Sequence, residues 1–473
     1  MHTEAAYLFR HALLRDGAYQ LQLPGERARM HSLAFEITEA LAGGRAPATA
    51  WDEHTGWTIQ PHSSDPLALE LSEHAGLARD PAGPFDQTLR EVECMYLRRA
   101  AEYALSRFRY EVAARLWERH AGLTSGAREA VSLHQAALAA DAGTRTRGSE
   151  GLLRRALGIY RDLGLRRQEA RVLGDLSNLQ RETGLPGDAE QSLRLALRIA
   201  RESGDRRLLG SILGSLATLC TDTSRTAEAE EAFAEALAIH REVGNRKHEG
   251  IVMGARAVLC LNTGRYEEAE ALHESALAIH REVGDRRREG ITLANLGNAY
   301  SRTGRYVEAE RNYEAGLAIH HEVGDRMAVG VALGNLALLR QRQHELAAAE
   351  HLHVQALAVH REVGNRRSEG ITLGNLAAIY EDTGRVNLVE PAYLESIALH
   401  RSAANPRFEG IHLCNYALHL LSVGRLEEGG ARWRECARAL RAIGDELTLR
   451  ACAAELHEAC ARLGLPIPDD GRG

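Results

Sequence analysis

Lysine is almost missing from this chain. Lys247 is the only one among 473 residues, and arginine supplies the rest of 58 basic side chains against 65 acidic ones. The formal charge of −7 argues against a general nucleic-acid binder, whose affinity grows with accumulated positive charge. One lysine, preceded by Arg246, also excludes a G-x-x-x-x-G-K-[ST] phosphate loop, which needs that cation to reach the phosphates. Aromatic residues make up only 5% of the chain, and prolines number 11 against 44 glycines. With Ala, Leu, Glu and Arg abundant, this predicts an all-helical protein with small residues between closely packed helices. Nowhere do 18 apolar residues run together, and Glu4, Arg10, Arg15 and Asp16 exclude a secretory h-region. The expectation is a soluble, cytoplasmic protein without a membrane span. Seven cysteines, odd in number and without C-x-x-C, suggest neither a disulfide framework nor a zinc knuckle, so no metal site is expected.

What the chain does have is a period. Rows of 40 residues from Leu173 align seven times through Cys452 without an insertion or deletion, and a worn eighth row spans Leu133 to Val172. Each row carries two helical stripes. In the row from Leu293, the first holds Leu293, Leu296, Gly297 and Tyr300, and the second holds Tyr306, Ala309, Tyr313, Gly316 and Leu317. Gly304 and Gly324 stand where helices end, and Asp325 where the next begins as N-cap. The prolines fit this register, since the first helical turn tolerates them: Pro186, Pro406 after the candidate cap Asn405, and Pro391 are each expected in a first turn. Small residues share one slot in the first helix, Ser177, Ala217, Ala257, Gly297, Ala337, Ala377 and Ala417. Glycine recurs at another, from Gly210 through Gly410. Glycine inside a helix costs about 0.5–1 kcal/mol against alanine, so close backbone approach between helices is the expected reason.

Leu293, Leu296, Gly297, Tyr300, Ala309 and Tyr313 match W-x2-L-G-x2-Y followed by A-x3-F, with Leu for Trp and no closing proline. In this the rows resemble the tetratricopeptide repeat, in its 40-residue variant. The resemblance implies a right-handed superhelical solenoid of antiparallel helical hairpins, preceded by a small helical segment. Tyr7 to Leu41 resembles the end of the ATPase module of bacterial signalling NTPases, of the STAND and AAA type, so residues 1–45 are assigned to such a segment. Residues 46–90, with five prolines and Trp51 and Trp57, read as a partly helical linker. Residues 91–172 read as degenerate repeats, 173–452 as seven regular ones, and 453–473 as a capping helix end and tail.

No catalytic constellation is recognisable. H-E-x-x-H, G-x-S-x-G and a Gly-rich fingerprint are all missing, so the chain is expected to be no enzyme and to hold no cofactor. His240, His280, His320, His360 and His400 recur every 40 residues. Tyr160, Ala200 and Leu440 share their slot, and His320 lies on the same stripe as Tyr313 and Leu317, so the column reads as packing. Cys220 and Cys260 read as small buried hydrophobes. Arg286, Arg287 and Arg288 read as solvated ion-pair formers, with Glu282 a candidate partner.

The face of the first helix opposite its core stripe is the candidate site. At 100° per residue, Asn295, Asn298 and Arg302 point away from the hairpin core, and the family resemblance makes that face the floor of a concave groove. Asn295, Asn335, Asn375 and Asn415 form a column there, and an amide that both donates and accepts suits an extended peptide backbone. Ile371, Ile411, Leu338 and Leu418 are expected beside it. Earlier rows offer Asn178, Glu182, Thr218 and Asp222, a more acidic floor. The expected function is a protein- or peptide-binding scaffold. Its alternatives are a ligand-sensing module serving a separate NTPase, kinase or transcription regulator and, remotely, an enzyme with an unrecognised site.

Overall fold

The computed structural model describes residues 23–47, 50–52, 56–80, 85–143, 146–403 and 405–469. They fall into two compact units, residues 1–139 and 140–473. The stretch 1–22, which carries much of the segment likened to an ATPase module, lies outside the described residues.

The first unit contains α1 (Pro24–Leu41), α2 (Ala68–Leu77), α3 (Asp86–Ser106) and α4 (Tyr110–Leu123). A small antiparallel hairpin, β1 (Ala50–Asp52) with β2 (Gly56–Thr58), adds the chain's described strands to an otherwise helical fold. Trp57, from the stretch read as linker, packs into this unit. Its ring lies 6.0 Å from Trp117 and 5.0 Å from His120, with the Arg98 guanidinium 4.5 Å above it. Arg99 is fully buried; its Nε donates to Asp65 Oδ1 at 2.7 Å and its Nη2 to the Gln60 carbonyl at 2.8 Å, while its Nη1 has no hydrogen-bond partner among the described residues.

The second unit is a run of helical hairpins. Its pairs are α7 (Arg166–Glu182) with α8 (Pro186–Ser203), α9 (Arg206–Asp222) with α10 (Thr226–Glu242), and α11 (Arg246–Asn262) with α12 (Tyr266–Glu282). They continue as α13 (Arg286–Arg302) with α14 (Tyr306–Val323), and α15 (Arg326–Arg342) with α16 (Leu346–Glu362). The last are α17 (Arg366–Asp382) with α18 (Val386–Ser402) and α19 (Pro406–Ser422) with α20 (Leu426–Ala442), followed by α21 (Glu446–Leu463). The helix α6 (Thr146–Asp162) precedes them, and α5 (Ala127–Ala142), before it in the chain, belongs mostly to the first unit.

Local chemistry explains why the elements repeat so regularly. From α9 onward the first helices begin on Asp or Asn: Asp285 and Asp325 accept from the amides of Arg288 and Ala328, as Asp205, Asn365 and Asp445 do in their own rows. Between the helices of a hairpin, Gly304 adopts φ +77° and the Arg305 amide bonds back to the Tyr300 carbonyl at 2.9 Å. Ser224 and His344 take the same left-handed conformation in their rows without being glycine.

Pro186 and Pro406 do open their helices. Two expectations need correction. Pro391 lies inside α18 rather than in its first turn, and the Leu388 amide closes on the Arg385 carbonyl at 2.9 Å just before it. Asn405 stands at the N-cap position but makes no capping bond, because its amide nitrogen turns to His400 Nδ1 at 3.2 Å.

The recurring glycine has a more specific cause than backbone approach. A Cβ at Gly210, Gly250, Gly290, Gly330 or Gly370 would stand 2.5–2.9 Å from the Cε1 of His240, His280, His320, His360 or His400 respectively. The glycine column and the histidine column are therefore one device, an imidazole of the second helix laid over a bare stretch of the first. Where Leu440 replaces histidine, it meets Gly410 in the same way. Where the second helix carries Ala200, the first carries Ala170.

Ion pairs then stitch one hairpin to the next. Arg286 pairs with Glu289 and, across the repeat boundary, with Glu322. Arg287 pairs with Asp325 at 2.7 Å. Glu282 belongs to Arg246 of the preceding row, not to this cluster. Exposed pairs of this kind contribute about 0–1 kcal/mol each, so the packed small residues carry the stability and the pairs reinforce register.

Candidate functional site

The four asparagines of the column occupy equivalent positions in α13, α15, α17 and α19, each half-buried. Among the described residues, none of the four side chains makes a hydrogen bond to another residue. Asn298 differs: the Tyr313 hydroxyl donates to its Oδ1 at 2.6 Å. That bond exists because Gly297 is bare, as a Cβ there would stand 2.7 Å from the Tyr313 ring. The ring thus crosses the hairpin and brings its hydroxyl to the groove side.

A cleft of about 370 Å³ opens here, between α11, α13 and α15. It gathers five of the predicted residues, Asn295, Asn298, Arg302, Asn335 and Leu338. The other five, Asn375, Asn415, Ile371, Ile411 and Leu418, lie outside its lining; all are half-buried. Residues not anticipated also line it, and Arg342 and Tyr313 matter most among them. Arg342 stands 40 residues after Arg302, so the repeat period alone was sufficient to find it. Tyr313 was assigned to the core by its stripe, and its buried ring conceals that its hydroxyl reaches outward.

Both arginines are anchored rather than loose. Arg302 Nη1 donates to the Leu261 carbonyl at 3.2 Å, and Arg342 Nη1 donates to the Ser301 carbonyl at 3.1 Å and to Ser301 Oγ at 3.2 Å. Each guanidinium thus caps the C-terminal end of the preceding repeat's first helix, where carbonyls lack helical partners.

Along this one slot the charge changes sign, from Glu182 and Asp222 through Asn262 to Arg302 and Arg342, then back to Asp382. At the acidic end the Asp141 carboxyl is pushed up to about 6, first by burial and then by Glu182 and Asp175.

The histidine column stays out of the groove. Burial pushes His240 and His360 down to about 4 and His400 to about 3, and His280 and His320 also fall. These are neutral packing groups.

Elsewhere in the second unit the structure gathers what the sequence presented as scattered. The thiols of Cys414, Cys436 and Cys452 lie within 4.8 Å of one another, all buried. Their three slots are unrelated by the period, so column-by-column reading does not connect them.

The comparisons with known proteins concern the repeats first. The tetratricopeptide repeat family matches residues 168–242, 248–321 and 329–402. No curated protein sequence matches the chain. Among solved structures, a Rap protein complexed with competence and sporulation factor is 13% identical, covering 80% of this chain and 99% of its own, with a TM-score of 0.53. A signal transduction ATPase with numerous domains and a tetratricopeptide repeat sensor, from Pyrococcus horikoshii, is 15% identical over 85% of this chain and 67% of its own, at a TM-score of 0.45. Aspartyl phosphate phosphatase F from Bacillus subtilis is 12% identical over 81% and 96%, at a TM-score of 0.47. At these identities the likeness to the Rap protein shows a shared fold. No helix among the described residues is long and apolar enough to cross a membrane.

Proposed function

The repeats of this chain are tetratricopeptide repeats, and we propose that they form a non-catalytic scaffold whose first helices hold an extended peptide carrying a carboxylate. One observation carries the reading: four amides, one per consecutive repeat, half-buried on one face and without a hydrogen-bond partner among the described residues. Their polar atoms are open to solvent rather than buried, and a peptide backbone offers a donor and an acceptor at every residue to pair with them. Leu338 and Val258 supply apolar contact beside Asn295 and Asn335. Arg302 and Arg342, fixed by the carbonyls they cap, present positive charge at the centre of the cleft; a carboxylate complements it through charge-assisted hydrogen bonds. The Rap structure, solved with competence and sporulation factor, is consistent with a ligand-binding use of this fold.

A second reading rests on the segment Tyr7–Leu41, which resembles the end of a signalling NTPase module. On it the same groove is a sensor that reports to a separate NTPase or kinase. It shares the groove and adds an output.

The test selects peptides from a random display library on the parent protein, then measures their affinity for a variant with alanine at Asn295, Asn335, Asn375 and Asn415. With about 1 kcal/mol net per hydrogen bond, the loss is expected to approach a thousandfold. A companion Arg302→Gln, Arg342→Gln variant is expected to lose affinity and most of its salt dependence. Selected peptides that bind the folded alanine variant as tightly as the parent would overturn the groove assignment.

A further inference from the structure

The cysteine cluster departs from the repeat at three points at once. Cys414 takes the slot that Gly334 and Gly374 hold in the two preceding rows, Cys436 that of Ala356 and Ser396, and Cys452 that of Thr372 and His412. These slots converge in space in the preceding repeat as well. There the Ser396 hydroxyl lies 2.6 Å from His412 Nδ1, and a Cβ at Gly374 would stand 2.2 Å from the same imidazole. The meeting point of a first helix, its partner and the following first helix is thus built into the fold, and only the last one is lined by three thiols.

We propose that Cys414, Cys436 and Cys452 form a three-thiolate site for a soft, thiophilic ion, with trivalent arsenic the ion that satisfies it, and that occupancy clamps α21 onto α19 and α20.

The surroundings select the ion. Among the described residues no fourth His, Cys, Asp or Glu joins the group, whereas a closed structural zinc site needs four ligands. Trp433, Leu413, Leu449 and Leu456 belong to the same core cluster, so the site is dry and apolar. Three thiolates around a divalent ion leave a net negative charge in that interior, and around a monovalent ion they leave two. Around a trivalent ion they leave none, and an uncompensated buried charge is what such an interior penalises.

The exchange needs no oxidant. Arsenous acid gives up three hydroxides, three thiols give up their protons, three As–S bonds replace three As–O and three S–H bonds, and three waters leave with arsenic still trivalent. The thiols are already organised for it: Cys414 Sγ donates to the Cys452 carbonyl at 3.7 Å. Access comes through α21, which carries Cys452 and has no further helix packed on it among the described residues, so local opening there is enough.

The test uses the full chain, reduced with a phosphine, and sodium arsenite as probe. One arsenic per chain is expected by elemental and intact-mass analysis, with three thiols lost to modification, a melting temperature raised by several degrees, and slowed amide exchange across Glu446–Leu463. Cys452→Ala is expected to weaken arsenite binding by about a hundredfold or more. The triple alanine variant is expected to fold, because Ala294, Ala356 and Ala332 hold the same slots in other rows. Cys460→Ala should bind like the parent. Arsenite uptake unchanged in the folded triple variant, or none by the reduced parent, would overturn the site; zinc bound in preference to arsenite by the same cysteines would overturn the assignment to a trivalent ion.

Discussion

His273 and His353 sit in the slot that other repeats fill with Phe233, Tyr313, Tyr393 and Trp433. Both are fully buried, and burial pushes each imidazole from 6.5 down to about 4. Neither ring nitrogen of His273 has a hydrogen-bond partner among the described residues, while His353 Nε2 reaches Gln341 Oε1 at 3.3 Å. In the unfolded chain these rings protonate near pH 6.5, and in the folded protein not until about 4. The unfolded state therefore binds more protons in that window. Stability is fully present above pH 6.5, falls as the pH drops toward 4, and then levels off, at up to about 1.4 kcal/mol per imidazole per pH unit. His240, His360 and His400 act with the same sign. The variant His273→Phe removes two unsatisfied buried nitrogens and restores the ring found in the row of Phe233. Calorimetry is expected to show it more stable by about 1 kcal/mol at pH 7, with a smaller loss between pH 7 and pH 5. A variant that melts lower at both pH values would show that the slot does not accept the larger ring.

At the scale of one hairpin, Gly330 and His360 make the tightest contact between the repeating glycine and histidine columns, with a Cβ at Gly330 only 2.5 Å from Cε1. Alanine is the better helix former, yet Gly330→Ala is expected to destabilise by about 1–3 kcal/mol through overpacking. His360→Ala in the same chain should remove most of that penalty, as the natural pair Ala170 and Ala200 does in its row. Urea unfolding of the two single variants and the double variant gives the coupling directly, and additive losses would mean the columns are independent. Both columns were legible as periodic, because every 40th residue is a direct comparison within one chain. Their dependence on each other was not, because a period records recurrence along the chain and says nothing of which columns meet. Asp325 and Gly324 were legible as cap and stop for the same reason, each chemistry being local to its turn. Asn405 and Pro391 depart from expectation: His400, five residues back, draws the asparagine side chain away from the cap, and the helix of Pro391 begins at Val386, which puts the proline past its first turn. At the cleft, helical angle alone turned Asn295 and Arg302 away from the hairpin core, whereas Tyr313 reaches Asn298 only because Gly297 lets its ring through.

Across the whole second unit, the superhelix brings widely separated hairpins together. Gly184, in the turn between α7 and α8 at φ +77°, faces the turn after α20 so closely that a Cβ there would stand 2.8 Å from Ile443 Cγ2. Pro406 Cγ is 3.5 Å from the same point. Arg367 Nη1 lies 4.0 Å from Glu182 Oε2, and a cleft of about 560 Å³ lies between these hairpins. No pattern in the chain announces this meeting, because it is the sum of small rotations from repeat to repeat, each too slight to leave a residue signature. The contact is nevertheless thin. Two apolar side chains and an ion pair at the limit of contact are little against the nearest-neighbour packing of every hairpin. Ile443→Glu replaces the apolar side chain that faces Gly184 with one that favours solvent, and should part the two ends. The expected result is a longer distance between fluorescent probes at Gly187 and Leu447, with a melting temperature near that of the parent. If the distance holds while stability also holds, the hairpin interfaces alone set the curvature, and the meeting of the ends is its consequence rather than a restraint on it.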